Sequence, residues 1–141
     1  MMNAKWGSGD PTSHLPDTTF AAYDDHHYIK YVGLPNTKSA YLHEACTTDR
    51  SGNAPVFVGE WSLSVDSSFE GSEEWLPQND VEFYRQFWAA QVRSYERTAG
   101  GWVFWSWKTS GLGDPRWDYR LAVEMGIVDR DPGRAYEVGG C

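Results

Sequence analysis

The stretch PVFVGEWSLS, from Pro55 to Ser64, carries a carboxylate at the end of an apolar run. An ionised carboxylate beside a buried strand costs solvation free energy unless it is paired or hydrogen-bonded. Glu60 could therefore be half of a structural ion pair. It could also be a nucleophile or a general acid in a cleft, and the rest of the chain favours this second interpretation.

A histidine and a tyrosine in the stretch DDHHYIKY could assist such a carboxylate. His26 and Tyr28 are two residues apart, so on a strand their side chains share a face. A neutral imidazole and a phenol there could hold sugar hydroxyls or tune a neighbouring carboxylate. A metal site at His26 and His27 is the rival hypothesis, and it is disfavoured because adjacent strand residues point to opposite faces.

Aromatic side chains make up 16% of the chain, with eight Trp and eight Tyr. Their flat apolar faces can stack on the axial C–H bonds of a pyranose ring, while their polar edges meet its hydroxyls. In WVFWSWKT, Trp105 and Trp107 fall at the last residues of a predicted strand, where an aromatic would form a wall of a cleft. Packing in a core is the simpler alternative for the same residues.

Charge and composition argue against several functions. Twenty acidic and 12 basic residues give a formal net charge of −8, which disfavours binding to the phosphate backbone of a nucleic acid. No apolar run approaches the roughly 20 residues that cross a bilayer, so no membrane partner is expected. Met1–Pro16 lacks the basic and apolar regions of a signal peptide. Cys46 and Cys141 permit one bridge and fit no metal spacing.

The elements that must position these residues alternate between strands and helices. The predicted strands are FAAYDDHHYIKY, PVFVGEW and WVFWSW. The predicted helices are LPNTKSAYLHEAC, DVEFYRQFWAAQVRSYER and a short one near Ala122–Met125, and residues 1–20 are predicted to be a loop. Asn36 and Asn79 are the expected N-caps. This order predicts an α/β fold with a parallel sheet and crossover helices, in which Glu60 lies at the carboxyl end of a strand.

The stretches FVGEWS, DDHHYIKY and GGWVFWSWKT together resemble the C-terminal portion of family 5 glycoside hydrolases, specifically fungal exo-β-1,3-glucanases and endo-β-1,6-glucanases. The similarity covers residues 1–141, but only about the last three βα units of that family's (β/α)8 TIM barrel. It implies a partial catalytic domain of a retaining β-glucan hydrolase that acts on a glucan or oligosaccharide without a metal or cofactor. For the full-length parent it implies a monomer that is extracellular or in the cell wall.

The resemblance also implies a role for each residue at a matching position. Glu60 matches the nucleophile at the end of the seventh strand. Tyr28 matches the tyrosine that hydrogen-bonds the nucleophile, and His26 matches the histidine that helps to bind the sugar under attack. Trp105 matches the eighth-strand tryptophan that stacks beneath that sugar, with Trp107 as its neighbour in substrate binding.

The acid that a retaining mechanism needs is absent from the matched pattern. Such an enzyme places a second carboxyl group about 5–5.5 Å from the nucleophile, and in this family it comes from an Asn-Glu pair that ends the fourth strand. No Asn-Glu dipeptide occurs here, and Asp24 and Asp25 are poor substitutes beside the sixth-strand position. We therefore expect a truncated chain that is inactive alone and exposes sheet edges.

Two other interpretations remain open at this point. A non-catalytic carbohydrate-binding protein could use Trp75, Trp105 and Trp117 as an aromatic platform. An unrelated acidic α/β domain would instead bury its tryptophans in a core. The sequence does not decide between β-1,3, β-1,6 and other linkages.

Overall fold

The computed structural model of the chain describes residues 17, 19–52 and 54–141, so most of the loop predicted over residues 1–20 lies outside the described residues. Within the described ranges, strands and helices alternate in a mixed α/β arrangement, as the sequence predicts. The elements are β1 (Tyr23–His26), α1 (Lys38–Thr47), β2 (Val56–Glu60), α2 (Val81–Thr98) and α3 (Tyr119–Glu124). Short 3₁₀ turns at Ile29–Tyr31, Glu73–Trp75, Pro77–Asn79 and Pro132–Glu137 lie in the connections.

Strands β1 and β2 pair in parallel through the crossover helix α1, which is the predicted connection. Tyr23 lies opposite Val56, and the register shifts after Asp25 so that His26 pairs with Glu60, the last residue of β2. The shift occurs at the carboxyl end of the pair. It brings the ends of the two strands, and the side chains they carry, to the same edge of the sheet.

The predicted third strand, WVFWSW, is much shorter than expected. A single parallel bridge joins Trp102 to Val58, and the N–H of Val103 donates to the Val58 carbonyl at 2.8 Å. Farther on, the N–H of Ser106 donates to the carbonyl of Trp117 at 2.8 Å instead. From Ser106 onward the segment therefore bonds to its own following loop rather than to β2.

Both long helices start one residue later than the predicted caps imply. Thr37, not Asn36, accepts a backbone N–H of the first turn of α1, at 3.3 Å. Asp80, not Asn79, does the same for α2 at 3.0 Å, while the Asn79 amide donates to the carbonyl of Glu73. Each pair of neighbours contains two good N-capping residues, so their type alone cannot identify the cap.

Helix α2 packs the apolar stripe predicted from its spacing. Tyr84, Trp88, Val92 and Tyr95 are fully buried, whereas Val81 in the first turn is half-buried. A disulfide ties Cys46 of α1 to Cys141 across 95 residues, which decides the pairing that the sequence left open. None of the helices in the described ranges is long and apolar enough to cross a bilayer.

The side of β1 that faces the helices carries its own polar contacts. Asp25 is fully buried and accepts from the guanidinium of Arg50, with Nη2 at 2.8 Å from Oδ1. His27 is buried on the same side, and its Nδ1 lies 2.8 Å from the hydroxyl of Tyr95. Because side chains alternate along a strand, Asp24 and His26 face the opposite side. That opposite side carries the candidate site.

Candidate active site

The carboxylate of Glu60 meets two side chains from the end of β1. The hydroxyl of Tyr28 donates to Oε2 at 2.8 Å, and Nδ1 of His26 lies 3.3 Å from the same oxygen. The Glu60 side chain is 25% exposed. It is therefore held by polar contacts at a strand end and still reachable from solvent, rather than turned into the helix layer.

Tyr28 reaches Glu60 from a position just beyond the strand. The sequence places His26 and Tyr28 on one strand face, but β1 ends at His26 and Tyr28 is the extended residue that precedes the 3₁₀ turn Ile29–Tyr31. The last bond to β2 is from the N–H of His27 to the carbonyl of Glu60 at 2.9 Å, after which the chain enters the turn. The two side chains nevertheless converge on Glu60, and the turn is what directs the phenol to it.

Burial raises the pKa of Tyr28 above the ordinary tyrosine value, and the hydrogen bond to Glu60 and its charge raise it further. The ring of Trp117 packs against the Tyr28 ring with centroids 5.6 Å apart. The ammonium group of Lys30 lies 5.2 Å from the centroid of the Trp117 ring. Tyr28 is thus fixed as a neutral hydrogen-bond donor to Glu60.

We expect Tyr28 to ionise only well above the pH at which a free tyrosine does, about 10. Because its folded-state pKa is raised, its stabilising contribution is complete below about pH 10 and is lost as the pH rises through the folded-state value. Spectroscopic titration of tyrosinate in the wild type and in Tyr28→Phe measures this by difference. A difference curve centred near the ordinary value would contradict the prediction.

The two predicted sugar-binding tryptophans lie on the accessible side of the chain. The backbone N–H of Trp105 donates at 2.8 Å to the carbonyl of Trp61, the residue that follows Glu60, and its side chain is 49% exposed. Trp107 is 67% exposed, and its ring stacks on Tyr119 with centroids 6.0 Å apart. The backbone thus places Trp105 beside the end of β2, while Trp107 packs on the following helix.

The aromatic platform considered for a binding protein is wrong in one of its members. Trp75 is fully buried and packs against rings that include Tyr41, Phe69 and Phe83. A run of polar residues surrounds it in the sequence, so only the tertiary packing reveals its burial. Trp117 is half-buried against Tyr28 and does not form a flat surface with Trp75.

Asp24 is a polar neighbour of the site whose contact the sequence reasoning missed. Its Oδ2 lies 3.1 Å from Nε2 of His26. The alternation of Asp24 and His26 on one strand face was a signal that could have found this pair. Asp25, the other carboxylate considered as a substitute acid, is removed from the site by its buried ion pair with Arg50.

The part of the chain that the structure describes contains no cluster of candidate metal ligands. No group of three or more His, Cys, Asp or Glu residues there could hold an ion. His26 and His27, the pair considered for a metal, contact Glu60 and Tyr95 respectively on opposite sides of the strand.

Sequence comparison relates the chain to fungal glucan glucosidases, although no family model matches it. The glucan endo-1,6-beta-glucosidase B of Emericella nidulans is 48% identical over 142 residues, which cover 100% of this chain and 34% of that protein. A probable glucan endo-1,6-beta-glucosidase B of Neosartorya fischeri is 46% identical over 93% of this chain and 32% of its own length. A glucan 1,3-beta-glucosidase 2 of Candida albicans is 34% identical over 53% of this chain and 21% of its own length.

Structure comparison relates the fold to part of larger solved proteins. The rutinosidase from Aspergillus niger superposes with a TM-score of 0.53 at 20% identity, covering 83% of this chain and 33% of that one. The structure of AoRut gives a TM-score of 0.57 at 22% identity, covering 84% and 33%. This chain spans about a third of the length of the first curated relatives. The sequence identities to the curated relatives confirm the resemblance to fungal β-glucanases, which are glycoside hydrolases.

Proposed function

Because the chain is similar throughout its length to part of fungal glucan endo-1,6-β-glucosidases, we propose that it is the C-terminal part of a β-glucan hydrolase catalytic domain. The finer assignment is to glycoside hydrolase family 5. In it, β1, β2 and the segment that begins at Trp102 are the sixth, seventh and eighth strands of a (β/α)8 barrel. The position of Glu60 at the carboxyl end of a parallel strand supports this assignment.

The observation that carries the proposal is the hydrogen bond from Tyr28 to Oε2 of Glu60 at 2.8 Å. Glu60 acts as the nucleophile: a carboxylate oxygen forms a bond to the anomeric carbon while the bond from that carbon to the leaving oxygen breaks. A second carboxyl group protonates the leaving oxygen, and water then cleaves the glycosyl-enzyme. Tyr28 orients the carboxylate in this step, and no metal or cofactor takes part.

The second carboxyl group comes from outside the described residues in this proposal. Asp25 is excluded by its buried ion pair with Arg50, and Asp24 contacts His26. Without an acid to protonate the leaving oxygen, hydrolysis is slower by about 10²–10⁴-fold. The chain alone is therefore proposed to be inactive, and the acid to reside in a part that corresponds to the remaining two thirds of the relatives.

Exposure of the sheet supports the proposal that further strands and a barrel complete the domain. Val56 and Val58 of β2 are buried, and Val58 belongs to the core that includes the buried side chains of α2, but Phe57 between them is 39% exposed. Apolar side chains on the inner face of a closed barrel pack against the opposite strands. The uncovered face of β2 is what a fragment of such a barrel presents.

The substrate is proposed to be a β-1,6-linked glucan. Relatives named for endo-1,6-β-glucosidase activity are 41–48% identical to this chain, whereas those named for 1,3-β-glucosidase activity are 34% and 31% identical. Trp105 stacks beneath the sugar under attack, with the ring of His26 beside that sugar and Trp107 at a neighbouring sugar. The full-length protein is proposed to be monomeric and to meet this polymer outside the cell or in the cell wall.

A chimaera tests the proposal by supplying the missing strands. This chain replaces the matching third of the Emericella nidulans relative, to which it is 48% identical. Release of reducing ends is measured on pustulan, a β-1,6-glucan, and on laminarin, a β-1,3-glucan. We expect hydrolysis of pustulan to exceed that of laminarin, and we expect the 141-residue chain alone to hydrolyse neither.

Two results would contradict the proposal. Strong turnover by the purified chain alone would show that it already contains the leaving-group acid. A folded chimaera that hydrolyses neither glucan, when the intact relative does so under the same conditions, would show that this chain does not carry the relative's catalytic end. Circular dichroism of the chimaera distinguishes this second case from simple misfolding.

A further inference from the structure

Asp24 is a carboxylate that the proposed hydrolysis does not use. Its Oδ2 lies 3.1 Å from Nε2 of His26. Its Oδ1 is buried and has no hydrogen-bond partner among the described residues, although the side chain as a whole is 46% exposed. A buried carboxylate oxygen without a partner costs free energy, so its position calls for a compensating role.

Gly59 provides the space in which this carboxylate lies. A methyl group at residue 59 would overlap Oδ1 of Asp24 and crowd its Cγ. The backbone of Gly59 is not in the left-handed region that requires glycine. The absence of a side chain at this position therefore serves Asp24, not the local chain direction. The space left at Gly59 accommodates the Asp24 carboxylate, which lies within hydrogen-bond distance of His26.

His26 stands between two carboxylates that approach opposite nitrogens of its ring. Nε2 faces Asp24 at 3.1 Å, and Nδ1 faces Oε2 of Glu60 at 3.3 Å. An ionised carboxylate only accepts hydrogen bonds. A ring with hydrogen on one nitrogen would point a lone pair at one of these carboxylates. Only a ring with hydrogen on both nitrogens donates to both.

We propose that Asp24 is a positioning residue for Glu60 that acts through His26. Asp24 holds a hydrogen on Nε2 and fixes the ring so that the N–H at Nδ1 donates to the carboxylate oxygen of Glu60 that also accepts from Tyr28. The catalytic meaning of this arrangement rests on the proposed function. The arrangement itself is a property of the chain.

Other charged groups also lie near His26. Glu44 and Arg50 line a cleft of about 540 Å³ that also includes His26 and His27. Arg50 is engaged by Asp25, and a guanidinium cannot accept a hydrogen bond from an imidazole. Tyr28 donates its own hydrogen to Glu60. The carboxylate oxygen Oδ2 of Asp24 lies at hydrogen-bond distance from Nε2, 3.1 Å away.

Nitrogen NMR of the full chain labelled with ¹⁵N-histidine tests the proposal. In the wild type we expect His26, assigned with His26→Gln, to carry hydrogen on Nε2 at neutral pH. In Asp24→Ala we expect that Nε2–H signal to be lost. Gly59→Ala should have the same effect, because its methyl group displaces the Asp24 carboxylate. Glu74→Gln, which changes an exposed carboxylate in the loop after β2, is the matched control and should leave the signal unchanged.

A double variant keeps the test decisive if Gly59→Ala folds poorly. Gly59→Ala should lower the denaturant midpoint in the wild-type background and lower it less in the Asp24→Ala background, where the clash is absent. Retention of the Nε2–H signal in Asp24→Ala would overturn the proposal. Equal effects of Gly59→Ala in both backgrounds would also overturn it.

These outcomes are independent of the proposed function. The NMR and unfolding measurements require no hydrolysis, so they can fail while the chimaera remains active. In the active chimaera, Asp24→Ala should lower kcat with little change in KM, since Asp24 is proposed to orient the nucleophile rather than to bind the substrate. A folded but inactive chimaera would reject the hydrolase proposal and leave the positioning of His26 to be judged by NMR.

Discussion

Replacing Glu60 by glutamine is expected to abolish β-glucan hydrolysis by the chimaera. Glutamine has nearly the same shape, and its amide oxygen can still accept the hydrogen bond that Tyr28 donates to Glu60. A neutral amide is a very poor nucleophile, so the first displacement is lost. Removing one member of a catalytic unit of this kind lowers kcat by on the order of 10⁴-fold or more. The rate of reducing-end release from pustulan measures the loss.

Glu74→Gln is the matched control for this substitution. It makes the same chemical change at an exposed position in the loop that follows β2, and it should retain full activity. Quenching of tryptophan fluorescence by glucan oligosaccharides should persist in Glu60→Gln, because Trp105 and Trp107 remain exposed. Turnover that survives in Glu60→Gln would show that another group is the nucleophile. Oligosaccharide binding by a chimaera that hydrolyses nothing would favour the non-catalytic carbohydrate-binding alternative.

The sequence predicts helix α2 well because its periodicity reports local geometry. Tyr84, Trp88, Val92 and Tyr95 recur at the spacing of one helix face, and all four are buried. The third strand fails for the opposite reason. Its residues have high strand propensity, but strand formation depends on partners distant in the sequence. Trp105 still donates to the carbonyl of Trp61, just beyond β2, but from Ser106 onward the partners are in the loop that follows, so the segment leaves the sheet.

For the candidate site too, the contacts set by strand geometry could be predicted from the sequence, and those set by tertiary packing could not. The expectation that Glu60, His26 and Tyr28 lie together follows from strand ends that meet at one edge of a parallel sheet, and the distances agree with it. The burial of Trp75 and the contact of Asp24 with His26 depend on packing and on the space above Gly59. A sequence pattern states which residues can share a face, but it does not state which gap in the structure one of them occupies.

Loss of the disulfide between Cys46 and Cys141 is expected to be the largest single-site effect on stability. The bridge closes a loop of 95 residues, and the chain-entropy estimate for a loop of that size is about 4 to 5 kcal/mol of unfolding free energy. It lies beside other contacts of the C-terminal segment with α2, including the donation from Arg93 to the carbonyl of Val138 at 2.6 Å. The bridge restricts the unfolded chain strongly because the loop that it closes, from α1 to Cys141, is long.

Denaturant unfolding of the double variant Cys46→Ser/Cys141→Ser measures this contribution. Each single variant should unfold at the same midpoint as the double variant, because removing either sulfur breaks the same bridge, and a reductant should shift the wild type to that midpoint. A midpoint unchanged in the double variant would show that the bridge does not stabilise the fold. The C-terminal segment contacts α2 through Arg93 and is bonded to α1 through Cys46. The bridge therefore makes the docking of this segment and the packing of the two helices one cooperative unit.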